Sequence, residues 1–429
     1  METFDVIVVG AGPAGATAAT QLAKAGLNVL LVERGAAAGH KNVSGGLVYS
    51  QTVAEVFPEF WRSAPVERAI AAHHIVMLGA ESSAGLDFRS GAATQPPYTA
   101  FSVLRAEFDP WLAAQAEAAG ASVITGVTVD ALLTENGRVI GIQAGPDQIG
   151  AAVVVVAEGT RALLLEKAKL RETFHPHDVS LGVKEIISLP AATIEERFQC
   201  APETGAAYTV VGHTAGLEGG GFLYTNKRTL SLGVVVKIDS LAQSGLHPHQ
   251  VLDEFKAHPL IARLIAGGEV VEYSAQTVHR GGYHLASKLY GEGYVVAGSA
   301  ARLLLNNVLT LRGMDFAIAS GAAAAQAILQ AREQGAYTAA TLAGYETALQ
   351  GTSIYHDWKT YKDVYPLLEN KRLFELYPEL ACAVLEKLFA PTTQPGPKAL
   401  GALRSEMAGK LPLMTFARDL YQIARGLAL

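Results

Sequence analysis

The stretch Phe4-Asp5-Val6-Ile7-Val8-Val9-Gly10-Ala11-Gly12-Pro13-Ala14-Gly15 opens the chain and decides its fold. An apolar, β-branched run of this length predicts a buried strand, and the glycines that stop it predict a tight turn into a helix. That helix is expected over 16–25, closed by Gly26, and a second apolar strand over 28–32 ends in Glu33. Gly10 permits the turn, Gly12 lets backbone amides approach a diphosphate, and Gly15 lets helix and strand pack closely. The helix N-terminus, with its unpaired N–H groups, favours an anion. Glu33 is placed to accept hydrogen bonds from ribose hydroxyls. Glycine turns alone are weak signals, but a strand before, a helix after and an acid ending the next strand together predict a dinucleotide site, with Pro13, Ala14 and Arg34 at its border.

Beyond Arg34 a loop leads to Val43-Ser44-Gly45-Gly46. Paired glycines beside a hydroxyl suit a backbone passing close to a flat ligand, and equally an ordinary turn. Helical text runs to Trp61, a short strand is expected over 75–78, and residues 102–105 enter a helix that Gly120 ends. Arg105, at the mouth of that helix, is placed either to pair with phosphate or to lie at the surface. Strands near 127–133 and 139–143 flank Asn136-Gly137, a strong hairpin signal. Residues 151–157 read as a buried parallel strand ending at Glu158. From about 175 to 290 the text changes to alternating strands, predicting a mostly antiparallel sheet. The chain then returns to the first fold: a strand over 293–297 ends in Gly298-Ser299, and a small-residue helix follows from Met314. A strand contributed so late is how FAD-binding two-domain enzymes close their sheet. The expected architecture is α/β: a Rossmann-like FAD-binding domain from 1–170 and 291–335, an antiparallel α+β domain at 171–290, and a helical region at 336–429.

Half of the 429 residues are hydrophobic and 17% are charged, enough for a large core. A net charge of -6 gives no electrostatic case for nucleic acid. Cys200 and Cys382 are too few to ligate an iron–sulfur cluster or build a disulfide framework. The pairs His73-His74, His175 with His177 and His247 with His249 lack further ligands, so no metal site is expected. Because the dinucleotide strand starts the chain and no apolar run reaches spanning length, a cytoplasmic protein is expected. In the last segment Leu413, Phe416, Leu420, Ile423 and Leu427 share one helical stripe. That pattern fits a helix docked on its own protein, the commoner use, or one lying on the inner face of the cytoplasmic membrane.

The glycine turn, Lys41-Asn42-Val43-Ser44-Gly45-Gly46, Val103-Leu104-Arg105 with Phe108-Asp109 and Trp111-Leu112, Gly219-Gly220-Gly221-Phe222-Leu223-Tyr224-Thr225-Asn226, and Arg312-Gly313-Met314-Asp315 together resemble the FixC family. These proteins are cluster-lacking relatives of electron-transfer-flavoprotein:quinone oxidoreductase, within the group that includes geranylgeranyl reductases and para-hydroxybenzoate hydroxylase. The resemblance implies FAD in the N-terminal fold, electrons from an electron-transfer flavoprotein, their passage toward quinone, and a ferredoxin-like subunit supplying the missing cluster. It also implies that Ser44, Gly45, Arg105, Gly298, Ser299, Arg312, Gly313 and Met314 contribute to the cofactor site. No catalytic side chain is nominated, because the isoalloxazine carries the electrons.

The sequence departs from the family pattern at Ser299, where an aspartate is usual, at Val308, where a glycine is usual, at Glu158 in place of aspartate and at Arg302 in place of a small residue. Losing a charged acceptor costs about 1.5–3 kcal/mol, and a branched side chain against the ligand about 1–3 kcal/mol more. An isoprenoid double-bond reductase and a non-catalytic scaffold that has lost tight flavin binding therefore stand as alternatives to an FAD-dependent oxidoreductase.

Overall fold

The computed structural model describes residues 2–41, 45–173, 175–390, 393 and 396–427. Thr3–Val9 forms the first strand, Pro13–Lys24 the first helix, and Val29–Val32 pairs in parallel with the first strand. Val6, Ile7, Val8, Val29 and Leu31 are completely buried, each such side chain contributing about 1.5–3 kcal/mol. Proline at the first helical position needs no hydrogen bond for its missing N–H.

Among the described residues the strands form an eight-stranded sheet, a nine-stranded sheet and a two-stranded hairpin. In the first sheet Thr3–Val9 lies between Val29–Val32 and Asp147–Val156, and Ser122–Ile124 extends it beyond Val29–Val32. On the other side Tyr294–Val296 pairs in parallel with Val154 to Val156, so the late return of the chain is real. The hairpin Ala131–Glu135 and Arg138–Ala144 turns through Asn136 (φ 49°) and Gly137 (φ 80°), the left-handed pair that a two-residue turn requires. The small residues of helix Met314–Glu333 let it lie directly on the first helix. At Gly321 a β-carbon would stand 2.2 Å from the Ala14 carbonyl oxygen.

The second sheet runs in the order Glu269–His279, Val179–Ser188, Thr229–Lys237, Gly219–Thr225, Thr204–Val211, Val66–Leu78, Ala100–Leu104, Gly45–Tyr49, and its ninth strand, Ser83–Arg89, pairs with Val66–Leu78. Its pairings are antiparallel except that of Thr204–Val211 with Val66–Leu78. Val183, Ile187, Val251, Leu252 and Phe255 join one core beneath it, where helices Ala191–Phe198, Pro248–Ala257 and Pro259–Ile265 cover one face. The other face looks toward the first sheet.

Three expectations change. The short strand over 75–78 is the end of the long strand Val66–Leu78, and residues 102–104 belong to strand Ala100–Leu104 before the helix Arg105–Ala118 begins. The second sheet thus draws strands from 45–104 as well as from 179–279, and the two sheets do not divide the chain at residue 171. Glu67 and Arg68 disguised the long strand. Arg68 is 1% exposed, yet its guanidinium donates to the carbonyls of Ala201, Thr204, Asn226 and Lys227 and to the Glu195 carboxylate. A buried charge is tolerated only when satisfied in this way.

The last helix, Leu413–Leu427, docks by a polar contact. Asp419 is fully buried and accepts from Arg372 Nε (2.6 Å), Arg372 Nη2 (2.7 Å) and the Tyr377 hydroxyl (2.8 Å). The apolar stripe is split: Phe416 and Leu427 pack partly on the protein, while Leu413 and Leu420 face outward beside Met414 and Tyr421.

Candidate functional site

A cleft of about 610 Å3 lies between the C-terminal ends of the first sheet's strands and the open face of the second sheet. The glycine turn forms one end. Gly10 has φ +101°, and a β-carbon there would stand 2.4 Å from the Ala157 carbonyl oxygen, so only glycine fits. At Gly15 a β-carbon would stand 1.9 Å from the Gly10 carbonyl oxygen, which is the close helix-to-strand approach expected of it. Gly12 caps the helix and differs from both. A β-carbon would project into the cleft, its nearest neighbour being Arg105 Nη2 at 3.9 Å. The space at Gly12 is therefore kept open for something other than protein.

Pro13, Ala14, Glu33 and Arg34 line the same end. The Glu33 carboxylate accepts from the amides of Ala11 (3.0 Å) and Gly35 (2.7 Å), which ties the end of one strand to the turn of the other. Arg105 is gripped by the buried Asp109 through Nε (2.8 Å) and Nη2 (2.5 Å) and held beside Gly12, so of its two expected placements the cleft is the one found. Glu158 also borders the cleft and caps helix Leu163–Lys167, accepting from the amides of Leu164 and Leu165. Burial raises its carboxyl above the usual range, against the pull of those amides and of Arg171.

At the other end lie Ser299, Gly313 and Met314. Gly298 has φ +64°, its amide donates to Ser320 Oγ (2.9 Å), and a β-carbon there would meet that of Ala14 at 2.9 Å. It therefore shapes the wall without lining it. Met314 faces Gly46, whose missing side chain leaves its β-position 3.0 Å from Met314 Cε. Gly45 pairs with Leu104 in strand Gly45–Tyr49, while Ser44 lies outside the described residues.

Two expectations about this end are corrected. Arg312 does not line the cleft: its guanidinium donates to Asp315 Oδ2 (2.7 Å) and Asp357 Oδ2 (2.5 Å) and lies 4.8 Å from the centre of the Tyr49 ring. These bonds tie the hairpin of Leu305–Asn306 and Leu311–Arg312 to the first turn of helix Met314–Glu333 and to Asp357. Val308 does not crowd the cleft either. It is left-handed (φ 71°), as a position built for glycine would be, but its side chain packs with Val364, Leu368 and Phe374.

The opposite wall comes from the second sheet: Gly182, Lys184, Phe222, Tyr224, Val235 and residues 274–278. Lys184 was missed in the sequence, where one lysine in the apolar strand Val179–Ser188 is easily passed over. Strand alternation carried the signal. Val183 and Ile187 join the core while Gly182 and Lys184 point into the cleft. Burial, helped by the nearby Arg105 charge, lowers the Lys184 ammonium to about 8. Among the described residues no three His, Cys, Asp or Glu side chains form a metal site.

These residues fit FAD: an open backbone cradle at Gly12, a helix N-terminus, an acid at the end of the second strand and a long cleft leading to Met314. Residues 5–170 match the family model "FAD dependent oxidoreductase", and residues 179–278 match "ETF-QO, ubiquinone-binding". The chain is 44% identical over 389 residues to Protein FixC of Escherichia coli (strain K12), covering 90% of this chain and 91% of that protein. It is 41% identical over 419 residues to the probable electron transfer flavoprotein-quinone oxidoreductase YdiS of the same organism, covering 97% of each. Among solved structures, a geranylgeranyl bacteriochlorophyll reductase-like protein from Thermoplasma acidophilum superposes with a TM-score of 0.74 at 21% identity, covering 99% of this chain and 100% of that one, a likeness of fold. The extent of the sequence match leads to one conclusion: the chain belongs to the FixC family of FAD-dependent oxidoreductases.

Proposed function

We propose that this chain receives electrons from an electron-transfer flavoprotein on bound FAD and delivers them to a quinone. The observation that carries the reading is the construction of the cleft. One wall is the glycine turn of the region matched as FAD-dependent oxidoreductase, and the other belongs to the region matched as ubiquinone-binding. When bound, FAD supplies an isoalloxazine that takes up and releases electrons. The protein's own contribution is to hold and shield it. Gly10, Gly12, Pro13 and the first helix would hold the diphosphate, Glu33 the ribose, and Ser299, Gly313, Met314, Gly45 and Gly46 would border the flavin end, with Ser44 adjoining them in sequence. Phe222 and Tyr224, stacked with ring centres 5.0 Å apart, give an apolar surface to a flat acceptor.

A ferredoxin-like subunit is the natural source of a cluster, since Cys200 and Cys382 are bound into local hydrogen bonds with Arg68 and with the Met77 and Ser82 carbonyls. No helix among the described residues is long and apolar enough to cross a membrane. Contact with the inner face of the cytoplasmic membrane is supported by the outward side chains of Phe389, Leu400, Leu413, Met414 and Tyr421, each at least 62% exposed.

The test is anaerobic. The purified, FAD-loaded chain is reduced by electron-transfer flavoprotein and mixed with a short-chain ubiquinone while flavin absorbance is followed. Reoxidation that depends on quinone concentration is expected. A reduced protein that ignores quinone would exclude this reading.

A further inference from the structure

Lys184 is a half-buried amine in the wall of the cleft. Its position follows from the register of three adjacent strands. Lys184 lies opposite Gly233, which lies opposite Phe222 on its other side. A β-carbon at Gly233 would stand 2.6 Å from Phe222 Cζ, so the glycine lets the Phe222 ring lean across and places it 5.7 Å from Lys184 Nζ. On the remaining side Lys184 is opposite Ser274, another cleft residue. The amine is thereby set in the wall that faces the glycine turn. Arg105, beside Gly12, lines the same cleft and acts on it electrostatically.

Resting on the FAD reading, we propose that Lys184 and Arg105 form a two-cation clamp on the dinucleotide's diphosphate, Arg105 from the mouth of helix Arg105–Ala118 beside Gly12 and Lys184 from the facing strand of the second sheet. Two cations brought together in one partly dry cleft repel each other, and an anion between them reverses that cost. The titratable side chains that line the cleft with Lys184 include Arg105, whose partner is Asp109, Lys41 on the loop whose carbonyl accepts from Gln276, Tyr224 beside Phe222, Glu33 and Glu158, together with the uncharged Ser274 and Gln276. Burial raises the Tyr224 phenol above its ordinary value. The Lys184 ammonium, lowered to about 8, is raised again by a bound diphosphate. The affinity it contributes is then full below pH 8 and lost as pH rises beyond it.

Calorimetric titration of apoprotein with FAD, ADP and riboflavin at pH 7 and pH 9 tests this. For the wild-type chain, FAD and ADP affinity should fall about tenfold between the two pH values, and riboflavin, which has no diphosphate, should show no such loss. Lys184→Arg retains a permanent charge and should flatten the profile, whereas Lys184→Gln should weaken FAD about tenfold already at pH 7. An unchanged slope in Lys184→Arg would overturn the clamp. So would FAD affinity in Lys184→Gln within about twofold of wild type at pH 7, or a pH loss seen with riboflavin and not with ADP. Wild-type protein that binds FAD at neither pH would overturn the FAD reading itself.

Discussion

Gly10 and Gly12 are neighbours in one motif, but the structure assigns them different physical tasks. At Gly10 a side chain would strike backbone, so Gly10→Ala should destabilise the fold by about 1–3 kcal/mol, read as a lowered denaturation midpoint. At Gly12 a side chain would enter the cleft, so Gly12→Val should leave the melting temperature of the apoprotein unchanged and weaken FAD roughly five- to hundredfold. Equal loss of stability in both variants would contradict this division of labour. Arg68 supplies a third case. Its acceptors are buried or half-buried, and Arg68→Ala should cost about 3–5 kcal/mol because the Asn226 and Lys227 carbonyls and the Glu195 carboxylate lose this donor. A chemical-denaturation curve checks it. At this scale the sequence was most legible where backbone geometry dictates the residue, as at Gly10 and Gly15. It was least legible where a long side chain chooses its direction. Nothing local shows that Arg105 turns toward Gly12 while Arg312 turns toward Asp315 and Asp357.

Among the elements, the opening strand, first helix and late strand were readable because an apolar run bounded by glycines has few other uses. The strand Val66–Leu78 was not, because its charged Glu67 and Arg68 break the alternation and are satisfied only by segments far along the chain. The last helix docks on its own protein as the commoner reading expects, but through Asp419, and it leaves part of its apolar stripe outside. Its bond from Arg372 holds the Asp419 carboxyl below the usual aspartate range, against burial. The stability this adds is present above about pH 4 and lost as pH falls through the lowered value. Asp419→Ala should therefore expose the helix to limited proteolysis at neutral pH, and wild-type protein should become susceptible there only in stronger acid. Identical cleavage of the two at pH 7 would show that the contact does not hold the helix.

In the whole molecule, the site exists because the chain crosses between sheets. Residues 45–104 leave the dinucleotide fold, build part of the second sheet and return, so that both walls of the cleft are tied together near Arg105. Such crossing is invisible to local periodicity, which is why the sequence does not show that strands from 45–104 join the second sheet. The outward apolar residues of the C-terminal helices belong to this scale as well. Replacing Leu413, Met414 and Tyr421 with glutamate should reduce sedimentation with anionic liposomes without altering FAD content, and undiminished sedimentation would remove the lipid role from that face. The most direct measurement of the central claim is the flavin released on heat denaturation of the purified chain, compared between the wild type and Gly12→Val. Equimolar FAD from the wild type and little from the variant is the predicted result; a colourless wild-type protein that takes up no added FAD would contradict the account.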